Sequence, residues 1–513
     1  MKKVLLFILV ISVCFIYTGC GKLNDGTEFS EISDSSTLFL VGYNFEGANP
    51  LYVKNDTNRE IFSLIYEPLF SIDRSFTPVP VLAKSVSMST SDGINYRIDL
   101  NDQVTFHDGT IMTSGDVVAT INYLLSNNTT YDYNVKKILN VSKNGDFSVN
   151  VTLKEPVLNF AALLTFPVVN AKDILSEFSF NGTGKYKVGS YVSRKYIELV
   201  PFENYHSEKN ESIKKIKVQL VPDKKTANYA YSSGMADIYS QDIFSEITSS
   251  GSKGEAKSLE YLSANYGFML FNNSLGIFQN ANVRKAIDLA IDKETIAKDV
   301  LFLKAEVTPT PIFQGAWCYN ENVSHKLDIE KAKELLKNEG FTHDPSTGIL
   351  VKSGYEPLYL TFRILVNSDN NYRIQVANKI CENLKYIGID CGVEVVSFEE
   401  YTRRYYMREF QALVGTVPMS YDFDLSKFLG EYNVSGYYNS NVLSIMSKIA
   451  LTDDMNKKKE YFKELQKIFF YDVPHISLYY TKENVQNSGK IKEGIDPNDY
   501  SLYNGIVNWE LSK

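Results

Sequence analysis

Two periods of apolar spacing alternate along this chain. "STLFLVGYN" (36–44) reads as a strand that runs into a turn at Gly47-Ala48-Asn49-Pro50. "DTNREIFSLIYEPLF" (56–70) then sets Ile61, Leu64, Ile65 and Leu69 at helical spacing, with Asp56 and Thr57 as caps. "NYRIDLNDQVTF" (95–106) alternates as a half-buried strand does, and "TSGDVVATINYLLSN" (113–127) returns to the helical period. "DFSVNVTLKEP" (146–156) alternates again, and strand-like stretches at 183–202 and 213–223 follow. Helices are stronger in the second half. "NANVRKAIDLAIDKETIAKDVL" (280–301) lines up Val283, Ile287, Ala290 or Ile291, and Ala297 on one face. "DIEKAKELLKNEG" (328–340) begins at an Asp cap and stops at Gly340. "YRIQVANKICENLKYIGI" (372–389) predicts a helix leading into the strand "DCGVEVVSF" (390–398). A long amphipathic helix at 456–472 and a strand at 475–485 complete the pattern. No solenoid-period repeat interrupts it, so a large α/β chain is expected.

The start of the chain follows another rule. Lys2 and Lys3 precede an apolar and aromatic run, Val4 to Tyr17 with a single Ser12 inside it, shorter than the roughly 20 residues a helix needs to cross a bilayer. A cleaved export signal over 1–19 fits this plan. The run closes on Tyr17-Thr18-Gly19-Cys20, which resembles a bacterial lipobox, although its first position is usually aliphatic. That resemblance implies a diacylglycerol on the Cys20 thiol, which becomes the new N-terminus. Lys22 to Ser36 is too polar to build a core, so 20–36 is expected to be a flexible tether on the outer face of the cell membrane.

The rest, roughly 490 residues, predicts two or three domains. The formal charge of −8 falls by a further two when Lys2 and Lys3 leave, and a mildly acidic surface argues against a nucleic-acid partner. There are 35 tyrosines against 2 tryptophans, a composition that can line a wet cleft with flat faces and hydroxyls. Beyond the signal and Cys20, Cys318, Cys381 and Cys391 remain. Cys381 and Cys391 are either a disulfide of an exported protein or two buried thiols.

Catalytic constellations are missing. The sequence has no Gly-x-Ser-x-Gly elbow, no His-Glu-x-x-His helix and no P-loop, since Gly182-x-Gly184-Lys185 lacks the required spacing. The histidines, His107, His206, His325, His343 and His475, form no local metal-ligand pair. Neither an enzyme nor a cofactor is expected.

Several segments taken together are similar to one family, the large bacterial substrate-binding proteins (family 5) of peptide, dipeptide and nickel ABC importers. "LAKSVSMSTSDGINYRIDLNDQVTFHDGTIMTSGDVVATINYLL" (82–125) resembles the family signature, with turns at Asp92-Gly93 and Asp108-Gly109 and a helix capped by Thr113 or Ser114. "IYEPLF" (65–70), "GTGKYKVGSYV" (182–192, with Lys185 where proline is usual), "SSGMADI" (232–238) and "FMLFNNSLGIFQNANVRKAIDLAIDKETI" (268–296) keep the family order. "LKYIGIDCGVEVVSF", "SGYYNSNVLSIM" and "VPHISLYY" continue it to about residue 500.

The resemblance implies a two-lobed periplasmic-binding-protein-like fold that closes on its ligand. A discontinuous first lobe would comprise 37–57, 182–264 and 476–513. An additional domain (58–181) would pack on it, and 265–475 would form the second lobe. Peptide-binding relatives hold the ligand backbone as an added strand. They often carry Trp-x-x-Asp-Tyr, whose aspartate meets the ligand's α-amino group. In "LVGTVPMSYDFDLSKFL" (413–429) Tyr421 matches the tyrosine, but Ser420 stands in the aspartate's place and the tryptophan is missing. Asp422 and Asp424 are the replacement anchors, or else they cap the helix that follows. Thr416 belongs to the same stretch. Arg404 and Arg408, with Arg403, are candidates for a ligand carboxylate, with the alternative of a solvated helix face. Asn44, Phe45, Asn265 and Tyr266 fall where relatives line the cleft.

These readings make a short peptide the expected ligand and ABC-transporter permease subunits the expected partners, with membrane lipid engaged through acylated Cys20 and the protein a monomer. The alternatives are a nickel or metal-chelate binder of the same fold and a receptor for a peptide signal.

Overall fold

The computed structural model describes residues 35–241 and 257–512. The expected signal, Cys20 and most of the polar stretch after it lie outside the described residues. The first strand, β1 (Thr37–Tyr43), is followed by helix α1 (Asp56–Phe62). Asn55 caps α1 by accepting from the Asn58 amide, so the cap precedes the expected Asp56 and Thr57. The helix also ends earlier than its apolar period. Ile61, Leu64, Ile65 and Leu69 are all buried as the spacing implies. However, the carbonyls of Leu64 and Ile65 accept from the Tyr186 and Gly184 amides, at 3.1 and 2.8 Å. Tertiary pairing claims backbone that a longer helix would have used internally. It also explains the Gly-Thr-Gly motif: a Cβ on Gly182 would lie 1.9 Å from the Ile65 carbonyl oxygen.

Strands β2 (Ala83–Met88), β3 (Asn95–Leu100), β4 (Ile138–Lys143) and β5 (Ser148–Leu153) form an antiparallel sheet in the order β2-β3-β5-β4. Helix α2 (Ser114–Ser126) contacts β4 and β5 and is opened by a capping box between Thr113 and Asp116. Next come β6 (Tyr186–Val192), β7 (Tyr196–Pro201) and β8 (Lys215–Val221), which join β1 in the order β1-β8-β7-β6. β1 and β8 pair in parallel at the edge, from Thr37↔Lys215 to Tyr43↔Val221.

The largest sheet takes strands from both halves: β9 (Ile238–Gln241), β10 (Lys257–Phe271), β11 (Ala305–Val307), β12 (Thr361–Asn367), β13 (Asp390–Val396), β14 (Ala412–Pro418) and β15 (His475–Asn487). Its order is β9-β15-β10-β14-β12-β13, with β11 beside β15. At about 3.3 Å per residue, β10 spans roughly 50 Å. One face is covered by α3 (Ala281–Ala290), α4 (Ile329–Asn338) and α5 (Asn371–Lys385), through Ile287, Leu336, Ile380 and Leu384. The opposite core holds Ile445 and Ile449 of α7 (Ser440–Ala450) and Phe462 and Leu465 of α8 (Met455–Asp472). Ile72, Phe76, Leu158 and Ala162 enter this second core from the 58–181 segment. Lys458 Nζ seals the contact by donating to the Leu158 carbonyl at 2.8 Å.

Two expectations in this half resolve differently. The helix expected over 280–301 breaks after Ala290. Asp292 caps a new turn by accepting from the Thr295 amide at 3.0 Å, and a π-helical turn follows at Ile296–Val300. Cys381 and Cys391 are joined as a disulfide linking α5 to β13, and Cys318 is a buried free thiol.

Candidate functional site

β12, β13 and β14 run parallel, so their carboxyl ends lie on one edge of the large sheet. In open α/β sheets that edge is where ligands bind. β14 is the distinctive strand there. β10 accompanies it along its whole length, from Phe271↔Ala412 to Asn265↔Pro418. On its other side β12 pairs only with Ala412 and Leu413. The Val414 carbonyl is taken by the Tyr401 hydroxyl at 3.1 Å. Beyond it, Gly415 to Pro418 have no strand on that side among the described residues.

The chain then enters a tight turn. The Phe423 amide donates to the Ser420 carbonyl at 2.9 Å, and Phe423 has a left-handed φ of 52°. Such a conformation is disfavoured for a bulky residue, and here packing compensates: the Phe423 ring is fully buried against Phe76, Phe313 and Phe462. The turn directs Asp422 inward. Asp422 is 4 % exposed, and its Oδ1 accepts from the Tyr133 hydroxyl at 3.2 Å. Burial lifts its carboxyl to about 6, against hydrogen bonds from Ser420 and Tyr133, and the Asp424 charge adds to the rise. No lysine, arginine or histidine forms an ion pair with it among the described residues. A cavity of about 170 Å³ opens beside it, lined by Tyr133, Lys137, Glu155, Asp424 and Ser426 with apolar Val157, Leu158 and Leu163. That space is below the roughly 300 Å³ of a whole-ligand pocket, and suits a terminal group.

A second carboxylate ties the turn to β10. Pairing between β10 and β15 slips between Leu262 and Tyr266, so three β10 residues bulge out against one. The Ala264 amide donates to Asp499 Oδ1 at 2.7 Å, and the Tyr421 hydroxyl donates to Asp499 Oδ2 at 2.8 Å. The Met419 amide in turn donates to the Ala264 carbonyl at 2.8 Å. Burial pushes the Asp499 carboxyl up, and these donors oppose the rise.

The residues singled out from sequence separate into two groups. Tyr421, Asp422 and Asp424 share the turn after β14, whereas Thr416 lies on the strand before it. Asp424 also accepts from the Ser426 amide at 2.9 Å, the capping contact weighed as its alternative. Asn265 sits opposite Pro418, and Asn44 follows β1 with a buried Oδ1 that has no hydrogen-bond partner. The others are engaged elsewhere. The Phe45 ring packs on Phe62 and Tyr191 in the core beside β1. Tyr266 is fully buried, its hydroxyl 2.9 Å from His475 Nε2 and 2.5 Å from Ser477 Oγ, which corrects its placement on a cleft wall. The arginines sit on and after helix α6 (Phe398–Met407). Arg404 holds both oxygens of Glu394, and Arg403 is paired with Glu400 and Glu409. Arg408 takes a left-handed C-cap and donates to the Asn433 carbonyl. Those local partners satisfy the arginines on the helix surface. Sequence reasoning missed Tyr133 and Asp499, which no local motif marks. Arg373, in the first turn of α5, donates to Asn367 Oδ1 and to Thr416 Oγ1.

Comparison with known proteins fits this geometry. The family model for bacterial extracellular solute-binding proteins, family 5 (middle region) matches residues 77–439. The oligopeptide-binding protein AppA of Bacillus subtilis is 26 % identical over 503 residues, covering 91 % of this chain and 89 % of that protein. Among solved structures, the open, unliganded murein-tripeptide-binding protein MppA superposes with a TM-score of 0.80 at 15 % identity, covering 94 % of this chain and 98 % of that one. NikZ from Campylobacter jejuni, solved with Ni(L-His), gives a TM-score of 0.62 at 22 % identity, covering 93 % and 100 %. The α/β architecture is the two-lobed fold of these binding proteins. With most of its length matched by that model, the chain belongs to the bacterial extracellular solute-binding proteins of family 5.

Proposed function

We propose that this protein captures short peptides at the carboxyl edge of its long sheet and presents them to the permease of an ABC importer. The observation that carries this reading is the bare edge of β14 leading directly to Asp422, a buried carboxylate that forms no ion pair among the described residues. A peptide backbone can add to such an edge as a strand, which tolerates many side-chain sequences. Its α-ammonium then supplies the charge Asp422 lacks. A charge-assisted pair of this kind contributes about 2–4 kcal/mol when one partner is otherwise buried alone. The oligopeptide-binding relative from Bacillus subtilis supports the ligand class.

In this reading the protein works outside the cell, tethered by lipid on Cys20, as a monomer and without catalysis. A Cys20→Ala variant should leave the detergent phase and appear in the medium; unchanged membrane retention would refute the anchor. The ligand class is tested by thermal shift with di- to octapeptides, nickel with and without histidine, and haem. Peptide at about 100 times its dissociation constant should stabilise by roughly 2.7 kcal/mol. A melt moved by nickel-histidine or haem and by no peptide would refute peptide capture.

A further inference from the structure

We infer that Phe76 is a positioning residue of the ligand site: it packs on both neighbours of Asp422, fixes the turn that holds this carboxylate, and so couples the 58–181 segment to ligand capture. The inference rests on the peptide reading above. Phe76 stands at the tip of a hairpin whose arms, Phe70–Ile72 and Pro78–Pro80, pair from Phe70↔Pro80 to Ile72↔Pro78. Asp73 builds that tip. Its Oδ1 accepts from the Ser75 and Thr77 amides at 2.8 and 2.9 Å, and its carbonyl accepts from the Phe76 amide at 3.1 Å. The tip leaves Phe76 with a left-handed φ of 61°. Glycine would suit the turn alone, so a phenylalanine there has to gain from where its ring goes.

The ring leaves its own segment. Only 3 % exposed, Phe76 enters the core that α7 and α8 share with the large sheet. It meets Phe313 and Tyr421 edge to face, with centroids 4.7 and 5.0 Å apart, and stacks on Phe423 at 5.6 Å. Tyr421 and Phe423 are the residues immediately before and after Asp422. Phe423 is itself left-handed, so two phenylalanines in a costly backbone conformation hold each other in place. The tip is also fastened on two further sides. The Trp317 amide donates to the Ser75 carbonyl at 2.9 Å, and Asn498 Nδ2 donates to the Ile72 carbonyl at 3.1 Å. Arg74 pairs with Asp496 at 2.5 Å. Asp499, next to Asn498, is the acceptor for the Tyr421 hydroxyl.

Phe76 acts on the carboxylate through these two neighbours. Without the ring, Tyr421 and Phe423 lose a shared packing partner, and the turn between them is free to swing Asp422 away from the Tyr133 hydroxyl. An anchor for an ammonium gains affinity from being held in one place before the ligand arrives. A peptide with a blocked amine makes no use of that anchor, so the loss falls on free peptides.

The test compares one tetrapeptide, free and N-acetylated, against wild type, Phe76→Gly and Phe76→Leu, each alone and combined with Asp422→Asn. Glycine accepts the left-handed turn and removes the ring, whereas leucine keeps apolar volume without the flat face. Wild type should prefer the free amine by about 30-fold. Phe76→Gly should cut that preference to about threefold, with affinity for the acetylated peptide within about twofold of wild type, and Phe76→Leu should keep about tenfold. Neither substitution should alter free-peptide affinity in the Asp422→Asn background, because the residues act as one unit. A merely structural role for Phe76 would lower the melting temperature and weaken both peptides equally. That result, with the preference at its wild-type value, overturns the inference while peptide capture stands. Should Phe76→Gly not fold, Phe76→Leu decides by the same measure, and an undiminished preference overturns the inference. Equal affinities for the two peptides in wild type overturn Asp422 as the anchor and this inference with it. Binding of neither peptide by wild type overturns peptide capture as well.

Discussion

Two charged stretches close together in the chain meet opposite fates. Arg403 and Arg404 on α6 spend their charges locally on Glu394, Glu400 and Glu409, and Arg408 after it donates to the Asn433 carbonyl. The turn after β14 instead buries Asp422 against Tyr133 with no ion pair among the described residues, and Lys427 acts on it only at longer range. Surface pairs of the first kind contribute at most about 1 kcal/mol. A buried carboxylate of the second kind keeps hydrogen bonds from Tyr133, Ser420 and the Asp424 amide, but its charge stays costly until a cation pairs with it. Composition shows charge; only the fold shows which charge is left over.

The contrast breaks most sharply at Asp422. Asp422→Asn should weaken binding of a free tetrapeptide by about 30- to 300-fold, measured by calorimetry, because a few kcal/mol of charge pairing are lost. The same substitution should make the unliganded protein more stable at pH 7.5. The carboxyl is raised from 3.8 to about 6. Between those values the folded state holds a proton that the unfolded state has released, so stability falls as pH rises from about 4 to 6. Above pH 6 the penalty is complete, at about 3 kcal/mol, and asparagine removes it. Denaturant melts of both proteins at pH 4 and pH 7.5 should show the gap opening only at the higher pH.

Affinity supplies the next test. Ligand ammonium needs an ionised Asp422, so affinity should fall about tenfold per pH unit below pH 6 in wild type. It should stay flat in Asp422→Asn. Tyr133→Phe should have a smaller effect, about three- to tenfold in affinity, by removing the one side chain from the 58–181 segment that orients the carboxylate. The smallest effect belongs to the other stretch: Arg403→Gln should change stability by less than about 1 kcal/mol and leave peptide affinity unaltered. A large loss of affinity in Arg403→Gln would mean that the helix surface, rather than the turn, meets the ligand.

The fold was legible in sequence where local chemistry dictates it. In "FHDG", Phe106 is buried, and Gly109 takes the left-handed φ of 86° that its turn needs. Thr113 completes the expected cap, and the alternating strands fall at 95–100 and 148–153. Where long-range pairing wins, local spacing misleads: Leu64 and Ile65 keep a helical period, but their carbonyls pair with the Tyr186 and Gly184 amides. The site was legible in part. Asp422 and Thr416 could be named from the family pattern. Their partners could not, because Tyr133 lies 289 residues from Asp422, Asp499 lies 78 from Tyr421, and Arg373 lies 43 from Thr416. Tyr266 and Phe45 were placed by position alone, and each ring has its own core to fill.

The most direct test is the affinity of one tetrapeptide, free and N-acetylated, for wild type and Asp422→Asn at pH 7.5. Wild type should prefer the free amine by 30-fold or more, and Asp422→Asn should show no preference. Equal affinities for the two peptides in wild type would contradict the assignment of Asp422 as the anchor for the ligand's amino group.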